Sequence, residues 1–297
     1  MKIHKGKLID KAKKYKIIDC KACGFVHIDP IPTKKELEKI YSADYYGDEK
    51  PQYIEHNLED IAWWKSVYKD RVDFIQKLKK TKGKRMLEIG SGPGLFLKYA
   101  KSKGWKVLGI EPSKQAVVFS KKNKIPVIEK FYQSVNSKEL GKFDVVCMFE
   151  FLEHIPNPHN VLIFSYSVLN KGGLVIIGVP NDYNPLQEVV RGKLKLKPYW
   201  LAPPFHVNYF TISALENLLQ KYGFKVVRKE TNFPLEMFLL MGDNYVGNDR
   251  IGRFIHSKRK RFDLALFKYN NKLKLAIYQK LAELDIGRDI TIYAKKN

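Results

Sequence analysis

The chain has no apolar run of about 18 residues or more, the length a membrane-crossing helix needs, so no transmembrane helix is expected. Its first residues, MKIHKGKLIDKAKKYK, are charged throughout and lack the apolar segment of a signal peptide. A cytoplasmic location is therefore the expectation. Cysteine is scarce: Cys20, Cys23 and Cys147 build no disulfide framework and suit a reducing compartment. There is no internal repeat and no low-complexity linker. What is present is ample apolar material, 44% hydrophobic and 13% aromatic residues over 297 positions, which excludes global disorder. That length holds one large domain, or one domain with sizeable appendages.

Acidic residues are outnumbered, and the formal net charge is +23. Such a balance invites a nucleic-acid partner. The lysines, however, are scattered through every segment beside many Ile, Asn and Tyr, as an AT-rich genome would impose. Two clusters stand out, Lys258-Arg259-Lys260-Arg261 and Lys193-Leu194-Lys195-Leu196-Lys197. Both read as solvated faces before they read as an RNA footprint. An acidic substrate, or peripheral contact with an anionic membrane surface, stands between those readings.

Residues 1–35 are short, mixed and turn-rich. A helix is expected from Thr33, with Glu36 completing its cap, to about Tyr41. Residues 55–80 carry the apolar spacing of a long amphipathic helix. The rhythm then changes. Strand-length apolar runs at Arg85–Ile89, Trp105–Ile110, Val127–Ile128, Phe143–Phe149 and Leu174–Val179 alternate with helical stretches at Gly94–Lys103, Lys114–Asn123 and Asn160–Leu169. Short continuous apolar runs joined by helices indicate a parallel, doubly wound sheet. A helix at Ser213–Tyr222 leads into a strand at Phe224–Lys229, and a last strand is expected at Asp289–Ala294 after a helical insertion over 233–285.

The strongest motif is Leu87-Glu88-Ile89-Gly90-Ser91-Gly92-Pro93-Gly94, where a strand ends, a glycine turn follows and a helix opens. Glycine allows positive φ and close approach of a ligand to the backbone. Alone the pattern also suits dinucleotides, but a pyrophosphate wants a bare helix N-terminus, whereas a carboxylate just before the glycines suits a cationic ligand. The second strand ends at Ile110-Glu111-Pro112, where a carboxylate can accept both ribose hydroxyls of a nucleoside. The third element is Phe143 to Ile155, with Glu150-Phe151-Leu152-Glu153-His154, followed by Gly172-Gly173 and Val179-Pro180-Asn181.

This ordered set resembles the class I S-adenosylmethionine-dependent methyltransferases over roughly residues 70–230. The resemblance implies that Glu88, Gly90, Gly92 and Gly94 flank the methionine part of S-adenosylmethionine and that Glu111, beside Pro112, holds the ribose. Phe131 would lie near the adenine, and Glu150 and Phe151 would line the methyl-donor pocket. The implied fold is α/β, a Rossmann-like seven-stranded sheet with an N-terminal helical lid and a helical insertion before the last strand. Its parts would be 1–80 (CxxC segment and lid), 81–232 (cofactor-binding core) and 233–297 (insertion and last strand).

The segment Cys20-x-x-Cys23-Gly-Phe-Val-His27 looks like a subgroup's N-terminal zinc module. Zinc wants four ligands and only one cysteine pair is present, so a degenerate knuckle without metal is favoured, although His4 and His27 could complete a site. Tyr45, Tyr46, Trp63 and Trp64 could cap the cofactor or pack the N-terminal helix. His206, in Pro203-Pro204-Phe205-His206-Val207-Asn208-Tyr209-Phe210, titrates in a useful range and could act as general base or equally be structural. His154 carries the same two readings. The base N-methylation signature Asp/Asn-Pro-Pro-Tyr/Phe is absent, and Cys147 reads as a core residue.

The expectation is a methyltransferase acting by direct displacement on a small molecule or a sugar/glycan precursor, with substrate choice in the lid and the insertion. The run Phe233–Gly242 is apolar enough to wall a pocket. An RNA methyltransferase and a non-catalytic binding subunit are the alternatives.

Overall fold

The computed structural model describes residues 4–33, 35–36, 52–78 and 84–297. Tyr45, Tyr46 and most of the helix expected up to Tyr41 lie outside the described residues. At that helix's start the cap is formed: the Glu36 amide donates to Thr33 Oγ1 (3.3 Å) and the Thr33 amide to Glu36 Oε2 (2.7 Å).

The turn-rich N-terminal stretch is an antiparallel meander, β1 (Gly6–Ala12), β2 (Tyr15–Cys20) and β3 (Phe25–Asp29). Alternation of buried and exposed side chains in YKIIDC and FVHID lays Tyr15, Ile17 and Ile28 on one face. Two helices follow, α1 (Tyr53–Glu59) and α2 (Ile61–Leu78).

The main sheet is assembled from β4 (Arg85–Ile89), β5 (Lys106–Ile110), β6 (Val127–Ile128), β7 (Phe143–Phe149), β8 (Leu169–Pro180), β10 (Phe224–Thr231) and β11 (Asp289–Lys296), in the order β10-β11-β8-β7-β4-β5-β6. The pairs from β8 to β6 are parallel, and β11 inserts antiparallel between β8 and β10. Parallel strands need covering helices: α3 (Leu95–Ser102), α4 (Lys114–Lys122), α5 (Pro158–Val168) and α7 (Ile212–Lys221) provide them. The strand FDVVCMF is buried along nearly its whole length, Cys147 included. On one side Tyr68, Val72 and Ile75 of α2 pack with Phe96, Leu97 and Trp105, so the N-terminal helix is part of the core's cover.

Two further elements were not expected from the sequence. Helix α6 (Pro185–Leu194) opens with a capping box from Asn184 and Gln187. The two-residue strand β9 (Asn208–Tyr209) pairs with β3 and completes the small sheet β1-β2-β3-β9. The N-terminal unit therefore takes a strand from the core region, and the boundary expected near residue 80 does not separate the two sheets. The insertion is helical: α8 (Glu236–Leu240) and a 35-residue α9 (Asp249–Glu283) that bends at Asn270, whose backbone leaves the helical region. Among the described residues no helix is long and apolar enough to cross a membrane.

Candidate functional site

Strand β4 has β5 on one side and β7 on the other, so the chain leaves β4 in one direction and returns in the opposite one. A crevice opens at the carboxyl ends of strands at such a switch point. Here it is a cavity of about 880 Å³.

Its floor is the glycine turn. Gly90 has φ +71°, and a Cβ there would meet Phe151 Cδ2 at 2.4 Å, so only glycine fits. Gly92, at φ +50°, sends its amide to Glu111 Oε2 (2.8 Å), and the Ser113 amide reaches Glu111 Oε1 (2.9 Å). Gly94 does not line the cavity: it is the left-handed N-cap of α3, where a Cβ would meet Ser120 Oγ at 2.9 Å. Its need for glycine is a packing need, one step removed from any ligand.

Two buried carboxylates face this space, Glu88 and Glu111. Burial, with Glu111 adding and Arg71 opposing, pushes the Glu88 carboxyl up to about 8. Burial pushes Glu111 up to about 7 against the pull of its two backbone donors. Glu88 Oε2 has no hydrogen-bond partner among the described residues. A buried, orphaned acceptor is costly unless a donor arrives, and a cation is the donor that would suit it.

Pro112, Phe131, Glu150 and Phe151 line the same cavity. Glu150 holds a left-handed backbone at φ +50°, which costs a non-glycine residue about 1–3 kcal/mol, and its amide donates to the Gly178 carbonyl (2.9 Å). The two histidines separate. His154, in the single 3₁₀ turn Leu152–His154, lines the cavity. His206 does not; its ring stands 5.0 Å from that of His154, edge on. Of the two histidines expected as candidate bases, His154 is thus on the cavity surface and His206 stands beside it. The Val207 amide donates to the Glu153 carbonyl (2.8 Å) and ties the two segments together. Glu153, His154 and His206 still form one cluster, with His154 Nε2 3.7 Å from Glu153 Oε1.

The wall of the cavity also holds residues the sequence did not single out. Tyr68 and Arg71 come from α2 beside Trp63 and Trp64, His256, Arg259 and Lys260 come from α9, and Arg288 with Asp289 opens β11. Trp63 Nε1 donates to Asp263 Oδ2 (2.7 Å), and the Arg259 guanidinium lies 4.7 Å from the Trp63 ring centroid. Three of the four residues of the 258–261 run are therefore engaged, and Arg261 is exposed. Lys258 pairs with Asp243 (2.9 Å), Lys260 pairs with Asp60, and Arg259 is buried, whereas Lys193, Lys195 and Lys197 are exposed as expected. Only contacts 200 residues apart reveal this wall, so no local signal could have found it.

A methyltransferase-domain family model matches residues 56–229, more than half of the chain. The chain belongs to that family. That family is the S-adenosylmethionine-dependent methyltransferases. Among curated relatives, the ubiquinone biosynthesis O-methyltransferase of Dechloromonas aromatica (strain RCB) is 32% identical over 117 residues, 37% of this chain and 50% of that protein. The one from Alkalilimnicola ehrlichii is 30% identical over 118 residues, 37% of this chain and 48% of that one. The chain thus spans about half the length of the curated relatives it matches. Magnesium protoporphyrin IX methyltransferase from Synechocystis PCC 6803, solved with bound S-adenosylhomocysteine, aligns at TM-score 0.54 and 11% identity over 89% of this chain and 100% of that one. The plantazolicin methyltransferase BpumL aligns at TM-score 0.54 and 16% identity over 89% and 97%. At those identities the likeness is one of fold.

The cavity fits the cofactor on its own chemistry. A sulfonium carrying an ammonium group meets two buried carboxylates, one with an unpartnered oxygen.

Proposed function

We propose that this methyltransferase acts on a hydroxyl of a small molecule or sugar/glycan precursor that carries an anionic group, with His154 as the base. S-Adenosylmethionine supplies an electrophilic methyl group. Glu88 and Glu111 hold the donor's cationic and ribose groups, and Phe151 and Phe131 exclude water beside them. A reaction that neutralises a sulfonium is favoured by desolvation and positioning.

The observation that carries the assignment is the setting of His154. Its Nδ1–H donates to the Phe205 carbonyl (2.8 Å), which fixes the tautomer and makes Nε2 the basic nitrogen on a cavity-lining imidazole. That nitrogen would take the hydroxyl's proton as the oxygen gains the methyl group and the methyl–sulfur bond breaks, leaving S-adenosylhomocysteine. The anionic group is inferred from Arg259, which is 4% exposed and whose Nε and Nη1 have no partner among the described residues. Neighbouring Arg288 donates to His256 Nε2 (3.0 Å), and burial and these cations hold the His256 imidazole far below its usual pKa, hence neutral. A carboxylate or phosphate would satisfy this wall. The names of the curated relatives, which are O-methyltransferases, agree with an oxygen acceptor. The RNA alternative is less well supported, since Lys258, Arg259 and Lys260 are taken up in internal contacts.

Release of S-adenosylhomocysteine with a panel of phenolic carboxylates and sugar phosphates tests the substrate class. In His154→Ala, turnover should fall about 10²–10⁴-fold with calorimetric affinity for S-adenosylhomocysteine intact. His206→Ala should cost clearly less. If His206→Ala has the larger effect on turnover, the assignment fails.

A further inference from the structure

Away from the cavity, at the end of the small sheet, four donors converge. Cys20 closes β2, Cys23 sits in the following turn, His27 lies within β3, and His4 precedes β1. Their ligand atoms all lie within 4.8 Å of one another. His4 Nδ1 is 3.1 Å from His27 Nε2, 3.4 Å from Cys23 Sγ and 3.9 Å from Cys20 Sγ. In a tetrahedral zinc site, bonds of about 2.0–2.3 Å place neighbouring ligand atoms about 3.3–3.8 Å apart. The observed spacings bracket that range.

We propose that His4, Cys20, Cys23 and His27 bind one zinc ion. The sequence argument against metal rested on a missing second cysteine pair; the fold brings two histidines to that place, 16 and 23 residues apart from their partners along the chain. Local geometry prepares each ligand. The Gly24 amide donates to the Cys20 carbonyl (2.8 Å), and φ +80° at Gly24 turns the chain so that both thiols face the same point. His27 Nδ1–H donates to the Ile28 carbonyl (2.8 Å), which leaves Nε2 as the lone-pair nitrogen aimed at the cluster. A backbone carbonyl on the remote nitrogen is the usual support of a metal-bound histidine. The two sulfurs and two imidazole nitrogens are a donor set that zinc prefers over magnesium or calcium. Neither thiol is engaged in a disulfide.

The site would also brace the reaction centre. His27 pairs with Asn208 across β3 and β9, and Asn208 Nδ2 donates to the carbonyls of Leu152 (3.1 Å) and Ile155 (2.7 Å), on either side of His154. This second role rests on the function proposed for His154; zinc binding does not.

The protein purified reduced, without chelator, from zinc-supplemented medium should carry about one zinc per chain by elemental analysis. Cys20→Ser should lose it. His4→Ala is the safer variant, since His4 is exposed and outside the sheet; it should lose most of the zinc while circular dichroism and S-adenosylhomocysteine binding show an intact core. The stripped protein titrated with Co(II) should develop the absorption of a tetrahedral thiolate site. Hydrogen exchange at 152–155 should rise on metal removal. A reduced, folded protein that takes up less than about one zinc per ten chains from zinc sulfate, or keeps its zinc in both variants, overturns the proposal. Unchanged exchange at 152–155 with zinc present would overturn the bracing role alone.

Discussion

The two walls of the cavity are built in opposite ways. The donor wall takes Glu88, the glycine turn and Glu111 from one strand–turn–helix–strand passage, and it is acidic. A second set of lining residues, Arg71 from α2, Arg259 from α9 and Arg288 just before β11, is basic, and on the function proposed above it would take the acceptor. On that proposal, a positive cofactor and a negative substrate would enter one cavity through different groups. Each wall also carries an unsatisfied atom, Glu88 Oε2 on one side and the Arg259 nitrogens on the other. Polar atoms left unpartnered at this depth are costly, and binding is the event that removes the cost.

The most severe way to break the donor wall is Gly90→Ala. The Cβ would collide with Phe151 and force a disfavoured φ, so cofactor binding by calorimetry should drop by 100-fold or more, on the order of 3 kcal/mol. A tenfold or smaller change would show that the turn relaxes. A cross-over pair sharpens the comparison. Glu111→Ala should weaken S-adenosylmethionine binding about tenfold or more, through lost hydrogen bonds to a charged group, with little change in acceptor KM. Arg259→Met should do the reverse, raising the KM of an anionic acceptor about tenfold or more with cofactor affinity intact. If both variants shift both constants equally, the two walls are not separate sites.

The smallest expected effect is on pH. The folded carboxyls of Glu88 and Glu111 lie at about 8 and about 7, above their ordinary values. A group raised on folding stabilises the protein fully below its unfolded pKa and loses that contribution as pH climbs through the folded value. The cofactor-free protein should therefore melt at progressively lower temperature from pH 5 to pH 8, and Glu88→Gln should flatten the slope. Affinity for S-adenosylmethionine runs the other way, rising several-fold over the same range as the carboxylates ionise. Opposite slopes in the melting and binding curves are the signature; parallel slopes would remove these carboxylates as the titrating groups.

Much was legible in order along the chain. Strand-length apolar runs separated by helical ones marked β4 to β8, and the glycine turn and Glu111 followed from short spacings. The N-terminal meander reads only as turn-rich in sequence, because β1 is largely exposed and polar and in β2 the buried Ile17 and Ile18 stand side by side, which breaks the period of two. The two-residue β9 has no periodicity at all and exists because β3 offers it an edge.

The sequence by itself determined the sheet class and the glycine turn between Glu88 and Glu111, because these depend on periods of two and 3.6 residues and on a turn whose steric demands are local. The tertiary structure alone decided that His154 rather than His206 reaches the cavity. It also decided that Arg259 is buried on Trp63 rather than solvated, and that His4 and His27 stand beside Cys20 and Cys23. Each of these depends on side chains brought together across 16 to 200 residues, and chain closure over such distances leaves no imprint on local spacing.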